Sequence, residues 1–147
     1  MSTTNNMKKL FLKLSLIALI LAPTNIVHAD DGETIKIQQH QNKVKFVVVQ
    51  KGKTFYELSK ETGISMSLLR KYNEFHPKKD ILEQGEILFI EPKKNKSKSN
   101  KQHIVNQHTT LREIAQIEAI KLSAMMKLNP HFSPDEKLSK GEKIFLQ

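Results

Sequence analysis

The chain repeats itself, and that repetition limits its folding more than any other feature. With residue 46 laid on residue 102, the stretch 46–90 runs along 102–146 without a gap. Identical pairs include Val49/Val105, Thr54/Thr110, Glu57/Glu113, Ile64/Ile120, Asn73/Asn129, Leu82/Leu138, Gly85/Gly141, Glu86/Glu142 and Phe89/Phe145. Between them apolar residues match apolar residues, as in Val48/Ile104, Phe55/Leu111, Leu58/Ile114, Leu69/Met125, Leu88/Ile144 and Ile90/Leu146. Self-similarity at a fixed spacing defines the folding unit, here roughly 45 residues long and present twice. Units of that size bury small cores, and a chain of 147 residues that holds two of them has no length left for a catalytic domain.

Within a unit, residues 46–50 are β-branched and aromatic, a strand pattern. Lys51, Gly52 and Lys53 make a turn. Thr54 and Glu57 form a capping box, in which the threonine oxygen accepts from the amide three residues on and the glutamate reaches back. Thr110 and Glu113 repeat it. Phe55, Leu58 and Thr62 share a helical face, and Gly63 supplies a left-handed stop. Ser65 caps a second helix carrying Met66, Leu69 and Tyr72 at helical spacing, and Asn73 ends it because Asn tolerates the left-handed conformation. A turn through Gly85 leads to a second strand over 87–91. This order closes if the two strands pair antiparallel with both helices on one sheet face. The expected fold class is α+β, with two small βααβ domains joined by a Lys-rich linker.

The N-terminus reads as a secretory signal over residues 1–29. Lys8 and Lys9 precede an apolar run over 10–22, and Val27-His28-Ala29 fits the small or aliphatic pattern at a cleavage site after Ala29. The apolar stretch 14–22 is well short of the roughly 20 residues a spanning helix needs, so no transmembrane segment is expected after cleavage. No cysteine exists anywhere in the chain, which excludes a lipid-anchored signal, disulfides and a thiol nucleophile. Residues 30–44 are polar apart from Ile35 and Ile37, and form either a lead-in segment or a short strand without an assigned place. Residues 45–92 hold the first repeat, 93–101 a Lys/Ser-rich linker and 102–147 the second repeat. The linker's lysines repel one another, so it should be extended and solvated.

The run Val49, Gly52, Thr54, Phe55, Tyr56, Leu58, Ser59, then Gly63-Ile64-Ser65, then Leu69 and Asn73, then Leu82, Gly85 and Leu88 resembles the LysM module. The spacing and the long 75–81 connector look most like the LysM tails of Bacteroidetes cell-wall glucosaminidases. The resemblance implies a βααβ fold that binds peptidoglycan or a related N-acetylglucosamine polymer. It also implies a groove between the strand 1–helix 1 turn and the helix 2–strand 2 connector. Carried onto this chain, the ligand-binding residues are Gly52, Lys53, Thr54 and Phe55 on one side, with Asn73, Glu74, Phe75, Ile81 and Leu82 on the other. Lys53 and Thr109 stand where the family usually has an acidic residue, while His108, Ala119 and Arg112 replace Gly52, Gly63 and Tyr56. The first repeat is therefore the better expected sugar site, and the second is structural or serves another ligand.

Other chemistries find little support. The histidines are scattered, whereas a metal needs three or four converging ligands, so no metal and no cofactor are expected. Glycoside cleavage needs two carboxylates facing across a cleft, and the paired acids fall on turns and helix caps. The formal charge of +9 and the lysine run suit attraction to anionic envelope polymers, and an exported protein rarely meets nucleic acid. The function expected is a non-catalytic, exported glycan-binding protein of the periplasm or cell envelope, or of the medium. A separate cell-wall hydrolase or another envelope protein is admitted as a partner. The alternative is a scaffold or adaptor whose LysM-like folds have lost sugar binding.

Overall fold

Residues 44–49 place apolar side chains on both sides of one strand, and this decides the architecture. Val47 and Val49 face two helices, while Val44 and Phe46 face the second half of the chain. The structure, a computed structural model, describes residues 21–28, 34–76 and 78–147. Strand β1 (Leu21–His28), β2 (Thr34–Gln39), β3 (Lys45–Val48) and β4 (Ile87–Phe89) form one antiparallel sheet in the order β1-β2-β3-β4. Between β3 and β4 lie helices α1 (Phe55–Thr62) and α2 (Met66–Asn73). The second half runs β5 (Gln102–Ile104), β6 (Thr109–Thr110), α3 (Leu111–Ile117), α4 (Leu122–Leu128), β7 (Lys137–Leu138) and β8 (Lys143–Phe145). Here β5 pairs with β8 and β6 with β7, both antiparallel. The α+β class is met, and strand, helix, helix, strand recur in order in both halves. Among the described residues no helix is long and apolar enough to cross a membrane.

The local signals act as their chemistry dictates. Thr54 accepts from the Glu57 amide at 3.2 Å while the Glu57 carboxylate accepts from the Thr54 amide at 2.7 Å. Thr110 and Glu113 repeat the arrangement at 3.2 and 3.1 Å. Gly63 stops α1 at φ 70°, and the Ser65 oxygen caps α2. A second matched device joins each first strand to its closing turn. Gly85 N–H donates to the Val49 carbonyl at 2.8 Å, and Gly141 N–H to Val105 at 2.7 Å.

Two expectations need correction. Asn73 does not take the left-handed position at the end of α2; Glu74 does, at φ 49°. The Asn73 side chain is instead committed to β4, accepting from Phe89 N–H at 2.8 Å and donating to the Phe89 carbonyl at 2.9 Å. Asn129 does the same to Phe145 at 2.8 and 2.9 Å.

The connector 93–101 is not an extended solvated linker. Lys93 is 3% exposed and Ser97 is buried. Lys94 exchanges backbone bonds with the turn at Ala119 and Lys121, and Ser97 N–H donates to the Leu146 carbonyl. Of the two readings for residues 30–44, the short strand is the one found, over Thr34–Gln39. Ile35 enters the first core beside Val47 and Leu58, and Val44 helps bury Phe46 and Phe89.

The basic residues of the expected signal, its apolar run as far as residue 20 and Ala29 itself lie outside the described residues. Residues 21–28 of that segment pair with β2, with Val27 opposite Ile35. Cleavage after Ala29 would remove this strand and leave β2 at the sheet edge.

Candidate functional site

Gly52 sits at φ 80° in the turn between β3 and α1, and a Cβ there would meet nothing within 4 Å. Glycine is present for its backbone conformation, and the turn is left open to solvent. Behind it the side chain of Phe55 is buried against Leu58 and Leu82, and its ring meets Phe75 edge-on at 6.2 Å. Arg70 lies over the Phe55 ring at 4.3 Å and Lys79 over the Phe75 ring at 5.4 Å. Arg70 also donates to the Lys79 carbonyl at 3.0 Å and to Asp80 at 3.2 Å, which fastens the 75–82 segment to α2. On the outside of that segment Ile81 is 79% exposed, the most exposed of the large apolar side chains described.

The nine expected ligand residues therefore divide. Gly52 and Ile81 are accessible, and Phe75 is half-buried. Phe55 and Leu82 support the walls from within the core. Thr54 is occupied in the capping box, and Lys53 folds back in an ion pair with Glu61. Asn73 is buried and hydrogen-bonded to β4, so it does not face a ligand. Glu74 turns to the second half of the chain, where its carboxylate accepts from Leu122 N–H at 2.9 Å and pairs with Lys93 at 3.0 Å. The sequence reading missed Arg70, whose contacts with Phe55 and residues 79–80 depend on how the connector folds.

The corresponding segments of the second half meet each other. Thr109 pairs with Leu138 and Thr110 with Lys137, so backbone closes the space between the turn and the connector. Arg112 N–H donates to the Pro134 carbonyl at 3.0 Å, and its guanidinium grips both oxygens of Asp135 at 2.7 and 3.0 Å. That fork holds the Arg112 guanidinium above its usual pKa and the Asp135 carboxyl below its own. Segments 53–54 and 81–82 of the first half belong to no strand among the described residues.

The halves meet beside the first groove. Gln116 donates to Asn73 Oδ1 at 2.9 Å and to the Ile87 carbonyl at 3.0 Å, and Arg112 Nη1 donates to the Glu74 carbonyl at 2.7 Å. Burial holds the Lys93 ammonium below its ordinary pKa, against the opposing pull of Glu74.

The turn at Gly52 thus leaves its backbone open, and Ile81 presents an exposed apolar side chain on the connector. Residues 47–90 match the family model of the LysM domain. No curated protein matches the chain. Among solved structures, the spore cortex-lytic enzyme SleL of Bacillus cereus aligns at 21% identity with a TM-score of 0.30, over 71% of this chain and 22% of that one. SleL of Bacillus megaterium QM B1551 aligns at 19% identity with a TM-score of 0.29, over 69% of this chain and 22% of that one. The chain thus spans less than a quarter of the length of either enzyme, 22% in each case. It contains one LysM domain, carried by residues 47–90.

Proposed function

We propose that the chain is an exported, non-catalytic protein that binds peptidoglycan or a related N-acetylglucosamine polymer through the groove of its first half. LysM domains generally bind such glycans, and the family match covers this groove. The observation that carries the reading is the contrast between a first groove whose rims form no strand pair among the described residues, with Ile81 exposed, and a second groove closed by its own backbone. Residues 102–147 are read as a second LysM-like repeat, retained for packing rather than for sugar. Sugar rings present hydroxyls to peptide groups at turns and an apolar face to side chains such as Ile81. Export follows from the leader pattern in residues 1–29.

Co-sedimentation of the chain beginning at residue 30 with purified sacculi tests this. Retention that survives high salt and falls on Ile81→Ser is expected. Absence of retention, or retention abolished by moderate salt, would overturn the reading and leave only attraction of a basic protein to anionic polymers. The scaffold alternative draws on one observation: Phe145 and Ile104 are exposed on the outer face of the β5–β8 pair. It gains if sacculi fail to retain the protein.

A further inference from the structure

We propose that Arg112 is a positioning residue for the first groove, fixing through Glu74 the wall formed by residues 75–82. The proposal rests on the glycan reading of that groove.

Glu74 holds φ 49° without being glycine, a conformation that its Cβ opposes. It is also the residue from which the 75–82 wall departs, and Phe75 beside it packs on Phe55. Five contacts from outside the first half converge on Asn73 and Glu74. Arg112 Nη1 donates to the Glu74 carbonyl at 2.7 Å, and Leu122 N–H donates to Glu74 Oε2 at 2.9 Å. Lys93 Nζ pairs with the same oxygen at 3.0 Å and donates to the Asn73 carbonyl at 3.3 Å. Gln116 Nε2 donates to Asn73 Oδ1 at 2.9 Å. The second half therefore grips the first at the hinge of its groove wall.

Arg112 is the side chain in this set that also reaches the second groove. Its Nε and Nη2 are held by Asp135, which aims Nη1 at Glu74. A planar guanidinium can make all three bonds at once, whereas an ammonium cannot reproduce that fork. Arg112 occupies the position of Tyr56 in the repeat, so a residue at the mouth of the closed groove has become a strut for the open one. Holding a wall in its binding conformation lowers the ordering cost that a ligand must otherwise meet.

The test uses the full chain, with N-acetylglucosamine hexamer as the probe in calorimetry and backbone relaxation dispersion on the amides of residues 75, 76 and 78–82. Arg112→Lys and Arg112→Gln are expected to weaken hexamer binding by about 5-fold, in line with one lost charge-assisted bond. They are also expected to raise microsecond–millisecond exchange across 75–82. Phe145→Ser, on the outer face of β8, should change neither. Unchanged affinity and unchanged loop exchange in both Arg112 variants would overturn the proposal, as would a fall in thermal midpoint with no change in loop exchange. If the parent chain does not bind the hexamer, the glycan reading fails, and loop exchange still decides whether Arg112 positions the wall.

Discussion

Asn73 and Asn129 make matched contacts in different surroundings, so their removal should cost different amounts. Asn73→Ala leaves the N–H and C=O of Phe89 without their partners. Phe89 is 0% exposed, under a lid of Val44, Phe46 and Ala119, and water does not reach it to compensate. An orphaned buried polar group costs about 1–3 kcal/mol, so two of them, with Gln116 also losing its acceptor, should cost roughly 3–4 kcal/mol. Asn129→Ala frees the same groups on Phe145, which is 54% exposed, and solvent can hydrate them. That loss should be about 1–2 kcal/mol. The assay is urea unfolding followed by circular dichroism, with midpoints compared at constant slope. The reasoning is refuted if the two losses agree within about 0.5 kcal/mol, or if Asn129→Ala is the worse.

Acid should weaken the junction between the halves through His40. Its Nδ1 accepts from the Asn42 amide at 3.0 Å, and burial lowers its pKa below 6.5, opposed by a hydrogen bond to the Ile117 carbonyl and the charge of Glu118. A depressed folded pKa gives stability that is present above about 6.5 and lost as pH falls through the folded value. His40→Gln should therefore flatten the decline of the thermal midpoint between about pH 7 and 4.5, and an unaltered slope would count against the assignment. Ile81→Ser should leave the unfolding midpoint within experimental scatter while reducing hexamer affinity about 5-fold, the equivalent of roughly 1 kcal/mol of apolar contact. Gly63→Ala should cost about 1 kcal/mol by denaturant titration, since its added methyl meets nothing within 4 Å and only the φ of 70° opposes it. Ala119→Gly should be nearly neutral, because relief of its φ of 52° is offset by loss of a buried methyl worth about 0.8 kcal/mol.

What the sequence made legible was local. The capping boxes, the stop at Gly63 and the Ser65 cap depend on residues a few positions apart, and each forms as its chemistry requires, whereas the closing strand, read from the order of the elements, pairs Phe46 with the distant Phe89. The identity of Asn73 and Asn129 marked them as a shared device, but their partners Phe89 and Phe145 lie sixteen positions on, beyond any capping rule. Lys93 misled for a related reason. A lysine in a lysine run is normally solvated, and what buries this one is Glu74, Asn73 and Gln116, brought together only when the halves dock. For the lead-in strand the signal was present. Ile35 and Ile37 alternate with Lys36 and Gln38, the period-two pattern of a half-buried strand.

The two grooves also differ in sequence at the turn residue before the first helix of each half. Gly52 reaches φ 80° in the turn before α1, while Thr54 and Thr110 are alike extended and alike cap their helices. His108 stands in its place and does not take a positive φ, a conformation its Cβ would oppose. Residues 109–110 are extended and find a partner in residues 137–138, whose peptide groups would otherwise have faced a ligand or water. Arg112 then closes over Asp135 and reaches Glu74. Loss of the turn glycine, closure of the second groove and the strut on the first thus occur together in the second half. A repeat that cannot open for a ligand can still fix the shape of its neighbour, and the contacts at Asn73 and Glu74 are where it does so.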